Sequence, residues 1–323
     1  MNTQETTIPT PNADQGGLLL PGLDGSNPLG FLAALGVLRV LSKESPIQMK
    51  WTPSGGTWVP VIRRSDERVL DEETILNVLL KGLCNCIEDH PANLLNELKE
   101  SEEKTERRDI FIKQAMDSTI SNRVLVDWLA ALASEVAPAD AVNQLQTTRR
   151  DYFYGNLKSV LKKTQSEHLR RSIFCNWDYA DPLDNQSLHL DPSEDRRHAH
   201  QWNRPAGDPS RKKQGGMLGA NRLAIEAIPL FSSVSNGEKL HTTGFTGNRS
   251  TDTYWTWPLW GDYLFIPIVR SLLLLQQLQK NEIDQRTTTR LGEMGIVAVF
   301  RTQRILVGKT PNFTPARCIV SMK

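Results

Sequence analysis

Between His189 and Arg222 the 323-residue chain gathers its densest set of chemically capable side chains: His189, Asp191, Glu194, Asp195, Arg196, Arg197, His198, His200, Trp202, Asn203, Arg204, Arg211, Lys212, Lys213 and Arg222. Two chemistries fit them. The arginines and lysines can neutralise phosphate while Trp202 stacks on a base. Alternatively, His189, His198 and His200 with Asp191 or Asp195 can ligate a divalent metal in a nuclease, since imidazole and carboxylate together suit zinc or manganese. The metal pattern is incomplete, because His-x-His on an irregular loop sets no facing geometry and no cysteine pair completes it. The basic run is longer and less compensated: Arg196 to Arg222 holds 7 basic residues against 1 acidic. That imbalance favours phosphate contact, with a solvated, ligand-free loop as the plain alternative.

A second basic cluster, Arg286, Arg290, Arg301, Arg304, Lys309 and Arg317, overlies the last strand-like runs. If Arg301 and Arg304 share a face with Lys309, they form a second phosphate track; otherwise they protect a sheet edge. Arg249 closes the glycine-rich turn Gly244-Phe-Thr-Gly-Asn-Arg249, where a backbone phosphate nest is the minor reading. The helix expected from Gly155 to about Arg171 carries Lys158, Lys162, Lys163, Arg170 and Arg171 outward, most simply as a solvated face. Neither a G-x-x-x-x-G-K-[ST] loop nor a G-x-G-x-x-G turn occurs. No G-x-S-x-G elbow surrounds Ser26, Ser232 or Ser235. These absences argue against an ATPase and a nucleophilic hydrolase, and we expect no catalytic residue and no cofactor.

The elements that position these groups read as α+β. Leu29 to Leu41 is apolar apart from Arg39 and is entered through Ser26 or Asn27 as cap and Pro28 at the first helical position. It predicts a buried central helix. Ile47 to Thr52 and Thr57 to Arg63 then predict a hairpin around Pro53-Ser-Gly-Gly56, with Trp51 and Trp58 able to pair across it. A helical layer follows: Asp71 to Glu88, Ala92 to Met116, and Arg123 to Glu135 with Val126, Leu129 and Ala130 on a stripe. Met217 to Ile228 and Ile266 to Gln279 are helical patterns, and small antiparallel sheets occupy the C-terminal half. There, Gly295 to Arg301 and Arg304 to Lys309 predict a hairpin joined by Thr302-Gln303. The expected organisation is a disordered tail over 1–16, a domain over 17–174, a long basic loop over 175–216, and a domain over 217–323. Cys84, Cys86, Cys175 and Cys318 show no disulfide pattern and read as reduced, buried thiols. No leader or membrane-length apolar run is present, so a cytoplasmic chain is expected.

Beyond packing, Asn27-Pro-Leu-Gly-Phe-Leu-Ala-Ala-Leu-Gly-Val-Leu-Arg39 followed by a Trp51-bearing strand resembles the N-terminal signature of CRISPR-associated proteins of the I-G (formerly I-U) subtype. Met217-Leu-Gly-Ala-Asn-Arg-Leu-Ala-Ile-Glu-Ala-Ile-Pro229, Thr242-Thr-Gly-Phe-Thr246, Trp255-Thr-Trp-Pro-Leu-Trp260 and Asn312-Phe-Thr-Pro315 are similar to the same group, which includes large-subunit-like proteins and an extension of the helicase-nuclease. The resemblance implies a non-catalytic subunit of an RNA-guided antiviral interference complex that contacts guide RNA or target DNA and other CRISPR proteins. On that reading the nucleic-acid contacts are Arg196, Arg197, Trp202, Arg204, Arg211, Lys212, Lys213, Arg222, Arg249, Arg301 and Arg304, and the Trp255 to Trp260 run is a docking surface. The alternatives are the metal-dependent nuclease and a protein-only structural adaptor.

Overall fold

Asn27 starts the central helix by accepting hydrogen bonds at its side-chain oxygen from the backbone N–H of Leu29 (2.8 Å) and Gly30 (3.3 Å). Pro28, which has no N–H to satisfy, takes the first helical position. The computed structural model describes residues 17–66, 68–93, 95, 113, 123–132, 143–148, 150–183, 186–194, 215–235, 240–247, 252–307 and 310–322. In it the helix, α1, spans Pro28–Leu41 and is buried along its whole length. It lies against α6, Leu218–Ala227, whose ten residues are all buried as well. Gly36 permits this approach, because a Cβ there would run into the carbonyl oxygen of Leu223.

Two antiparallel sheets flank the helix pair. In the first, β1 (Leu18–Leu19), β3 (Thr57–Arg64) and β2 (Ile47–Ser54) lie in that order. Trp51 faces Pro60 across the strands, and Pro53 faces Trp58, so the two tryptophans do not pair. Trp51 instead stacks on Phe31 of α1, with ring centroids 5.8 Å apart. The second sheet runs β10 (Arg317–Ser321), β8 (Ile296–Val307), β7 (Tyr254–Trp260) and β6 (Phe245–Thr246), and β9 (Thr310–Phe313) folds back onto the end of β8. β8 is one continuous strand: Ile296 to Gln303 pair with β7, and Arg304 to Val307 pair with β9. The expected turn at Thr302-Gln303 is therefore absent. Trp255, Trp257, Leu259 and Trp260 have no exposed surface, and Trp257 stacks on Phe31 at 5.6 Å. The tryptophan-rich run is a core strand, not a docking surface. A short third pair joins β4 (Ser233–Ser235) to β5 (Leu240–Thr242).

The helical layer contains α2 (Glu72–Gly82), α3 (Arg123–Leu132), α4 (Arg150–Lys163), α5 (Ser166–Phe174), α7 (Ile266–Leu273) and α8 (Gln285–Glu293). α2 stops at Gly82, so Cys84-Asn-Cys86 lies beyond the helix. The thiols are free, as expected, but Cys86, Cys175 and Cys318 are exposed rather than buried. The helix expected from Gly155 to Arg171 is two, and α5 opens where the Gln165 N–H donates to Nδ1 of His168 (3.0 Å). On α3 the inward stripe is Trp128, Leu129, Ala131 and Leu132, with Ala130 exposed. The patterns over Ala92 to Met116 lie almost wholly outside the described residues, as does the tail over 1–16. α8 was not anticipated; its three threonines are poor helix formers, and Asp284 supplies the start by accepting from the Thr287 N–H (2.7 Å).

One hydrophobic cluster runs from Leu20 to Val320. Residues 17–174 and 217–323 thus share a core through the α1–α6 contact, and Met49 and Leu264 exchange backbone hydrogen bonds at 3.0 Å each way. Among the described residues no helix is long and apolar enough to cross a membrane.

Candidate nucleic-acid interface

The segment with the highest basic density, 195–214, lies outside the described residues, and the residues that flank it are fixed. The Gly216 N–H donates to the Asp181 carbonyl (2.7 Å), and the Asp181 N–H donates to the Gly216 carbonyl (3.2 Å). The Asp181 carboxylate completes the join, accepting from the Leu218 N–H at the start of α6 (2.7 Å) and from Nη1 of Arg171 (3.0 Å). Nη2 of Arg171 holds Asp178 (2.7 Å) and keeps that carboxyl below its ordinary range. Gly215 fits beneath the carbonyls of Asp181 and Tyr179, where a Cβ would collide with both. On the outgoing side Asp191 is buried and accepts from the Tyr179 hydroxyl (3.1 Å) and the Ser193 N–H (2.8 Å). The side-chain oxygen of Asn221 on α6 takes the Leu188 N–H (2.7 Å).

Tyr179 (φ 50°) and His189 (φ 54°) hold left-handed backbone conformations, the only non-glycine residues among those described to do so. Each costs of order 1–3 kcal/mol and persists only where surrounding contacts over-determine it. Both lie on this flank, and the Trp177 and Tyr179 rings meet edge to face at 6.0 Å.

Arg196, Arg197, His198, His200, Trp202, Arg204, Arg211, Lys212, Lys213 and Arg249 lie outside the described residues, as does Lys309. The remaining expected contacts are placed elsewhere. Arg222 has no exposed surface: it donates through Nη1 to Glu226 (2.9 Å) and through Nη2 to the Cys84 carbonyl (2.8 Å). Glu226 also takes Nη1 of Arg39 (3.2 Å) and faces Nε2 of His90 (3.2 Å). Burial pushes the Glu226 carboxyl up, but the His90 hydrogen bond and the charges of Arg222 and Arg39 outweigh it, so the carboxyl ends well below the ordinary range. Arg222 is a core ion-pair residue and leaves the nucleic-acid set.

Arg301 and Arg304 do not share a face, as an odd spacing along one strand dictates. Arg301 donates to Thr256 Oγ1 (2.9 Å) and to the carbonyls of Leu278 (3.3 Å), Lys280 (2.5 Å) and Asn281 (2.7 Å). It thereby ties down the short turn after α7. Arg304 points the other way and donates through Nη2 to the Gln146 carbonyl (2.9 Å). The second phosphate track is thus not formed by this pair. The basic face of α4 and α5 is answered by acids: Lys158 pairs with Glu88 (2.9 Å), and Arg170 pairs with Glu72 and Glu73.

His189 is half-buried, and its backbone N–H donates to Ser187 Oγ (2.8 Å). Among the described residues no group of three or more His, Cys, Asp or Glu could hold a metal. What sequence reasoning missed was the buried cluster around Glu226. Its signal was present: Arg222 and Glu226 stand four residues apart on an otherwise apolar helix, and Arg39 is the lone charge in α1. Compared with protein-family models and with curated proteins, the chain matches none.

Proposed function

We propose that this chain is a non-catalytic subunit of a type I CRISPR antiviral defence complex, contacting guide RNA or target DNA through residues 195–214. The observation that carries the reading is the arrangement around that segment: Arg196, Arg197, Arg204, Arg211, Lys212 and Lys213 lie between two ends that the fold pins through Asp181, Asp191 and Gly216. A positively charged, aromatic-bearing segment between hydrogen-bonded ends suits contact with a phosphate backbone and a stacked base. The resemblance of α1, α6 and the tryptophan strand to I-G subtype proteins supplies the biological setting.

The test is binding of the purified protein to labelled single- and double-stranded DNA and RNA across a salt series. The comparison is a variant carrying Arg211→Glu, Lys212→Glu and Lys213→Glu. The expected result is a steep log–log salt dependence that flattens in the variant, by roughly two to three phosphate contacts at ~0.7–0.9 each. A weak, salt-insensitive response in both would sink the proposal in favour of a protein-only adaptor. Divalent-metal-dependent cleavage lost in His198→Ala would replace it with the nuclease.

A further inference from the structure

We propose that the outer face of the β1–β3–β2 sheet is a second nucleic-acid contact, in which Arg63 takes a backbone phosphate with Lys50 beside it. Side chains alternate along a strand, so Gln48, Lys50 and Thr52 of β2 face away from the core, opposite Arg63, Val61 and Val59 of β3. None of these six is acidic. Leu264 pairs with Met49 at the β2 edge, which brings the ring of the preceding residue, Tyr263, onto this face. The Arg63 guanidinium carbon lies 3.9 Å from the centroid of that ring, and Lys50 Nζ lies 4.8 Å from it. One aromatic ring thus gathers two cations.

Arg63 is held in place without using its whole fork. Its Nε donates to Gln48 Oε1 (3.0 Å), and Gln48 Nε2 donates to the Tyr263 carbonyl (3.4 Å), so stacking and one edge set its orientation. Nη1 and Nη2 reach solvent and have no partner among the described residues. Arg64, next in the chain, is the contrast: Nε and Nη2 both donate to Asp66, and Nη1 donates to Ser45. A guanidinium already oriented, with its terminal edge open, loses little freedom in gripping an oxyanion through two parallel hydrogen bonds. The face favours nucleic acid over an acidic protein segment. Val59 and Val61 are buried and offer no apolar anchor, and what remains is polar and basic, as surfaces that meet nucleic acid are and the centres of protein–protein interfaces are not.

That the phosphate belongs to a polynucleotide rests on the function proposed above. The experiment is the salt series on labelled DNA and RNA, with Arg63→Gln and Arg63→Lys beside wild type and the 211–213 charge-reversal variant. Arg63→Gln is expected to bind about tenfold more weakly, with a salt slope lower by about one contact. Arg63→Lys keeps the charge and loses the fork, so it keeps the slope and binds about fivefold more weakly. Wild-type affinity and slope in both Arg63 variants overturn the contact; should Arg63→Gln not fold, Arg63→Lys decides.

The two proposals fail separately. Weakening confined to the 211–213 variant keeps that segment and removes this face, weakening confined to the Arg63 variants does the reverse, and a wild type that binds no nucleic acid removes both. Inorganic phosphate and a polyglutamate peptide, each titrated at constant ionic strength with thermal unfolding as readout, test the other anions. Stabilisation of wild type that is lost in Arg63→Gln, with the nucleic-acid slope unmoved, assigns the fork to that anion and overturns the backbone contact.

Discussion

Arg222 and Arg304 both carry a guanidinium into the protein, yet their electrical surroundings are opposite. Around Arg222 the fold brings one carboxylate, Glu226, to three partners on different elements: the guanidinium groups of Arg222 on the same helix and Arg39 on α1, and the His90 imidazole on the loop after α2. Around Arg304, among the described residues, the guanidinium has a hydrogen bond to the Gln146 carbonyl and no carboxylate. The first arrangement sets its charges against a carboxylate inside the core, so they hold helices together. The second leaves the charge with a backbone acceptor in place of a carboxylate among the described residues. A positive charge in a sequence therefore indicates a partner outside the chain only after the partners inside it have been counted.

The comparison breaks most forcefully if the carboxylate is removed. Glu226→Gln leaves Arg39 and Arg222 in the position of Arg304, but deeper, and should cost about 3–5 kcal/mol of unfolding free energy in urea. An unchanged midpoint would mean that the cluster is not what couples α1 to α6. Gly36→Ala attacks the same cluster from its geometry, by wedging the helices apart; about 1–3 kcal/mol is expected on the same measurement. Arg270→Ala, which removes a two-pronged contact with Asp127 (2.7 Å each), should cost about 1–2 kcal/mol.

Acid sharpens the contrast. Because the Glu226 carboxyl lies below its ordinary range, its stabilisation is complete above the unfolded value of about 4.3 and is lost as pH falls beneath it. Wild type should lose stability through that window more steeply than Glu226→Gln. The smallest effect is at the surface: Lys158→Ala removes an exposed pair with Glu88 and should leave the midpoint unmoved.

These partners were unevenly legible. The cap at Asn27, the burial of α1 and the β2–β3 hairpin follow from local chemistry, and sequence reasoning finds them. Arg222 misleads because its neighbours in sequence, Arg211 to Lys213, are basic, whereas its neighbours in space are Glu226 and a carbonyl from residue 84. Tyr254 to Trp260 misleads for a related reason. A strand covered on both faces has the same apolar composition as an exposed docking patch, and only β8 and Phe31 distinguish the two. Thr302-Gln303 suggests a turn because β8 changes partner from β7 to β9 there, and a change of partner resembles an interruption in pattern.

The closure between Asp181 and Gly216, with Asp191 anchored on the outgoing side, makes residues 195–214 exchangeable. Two backbone hydrogen bonds and the start of α6 define where the stretch begins and ends, and the entropic cost of closing a loop changes by only about 0.6 kcal/mol for each doubling of its length. Residues 195–214 can be shortened, extended or recomposed while the framework that fixes their flanks stays the same. In evolution, and equally at the bench, that makes this place a graft point: a constant scaffold on which one segment can be replaced by another.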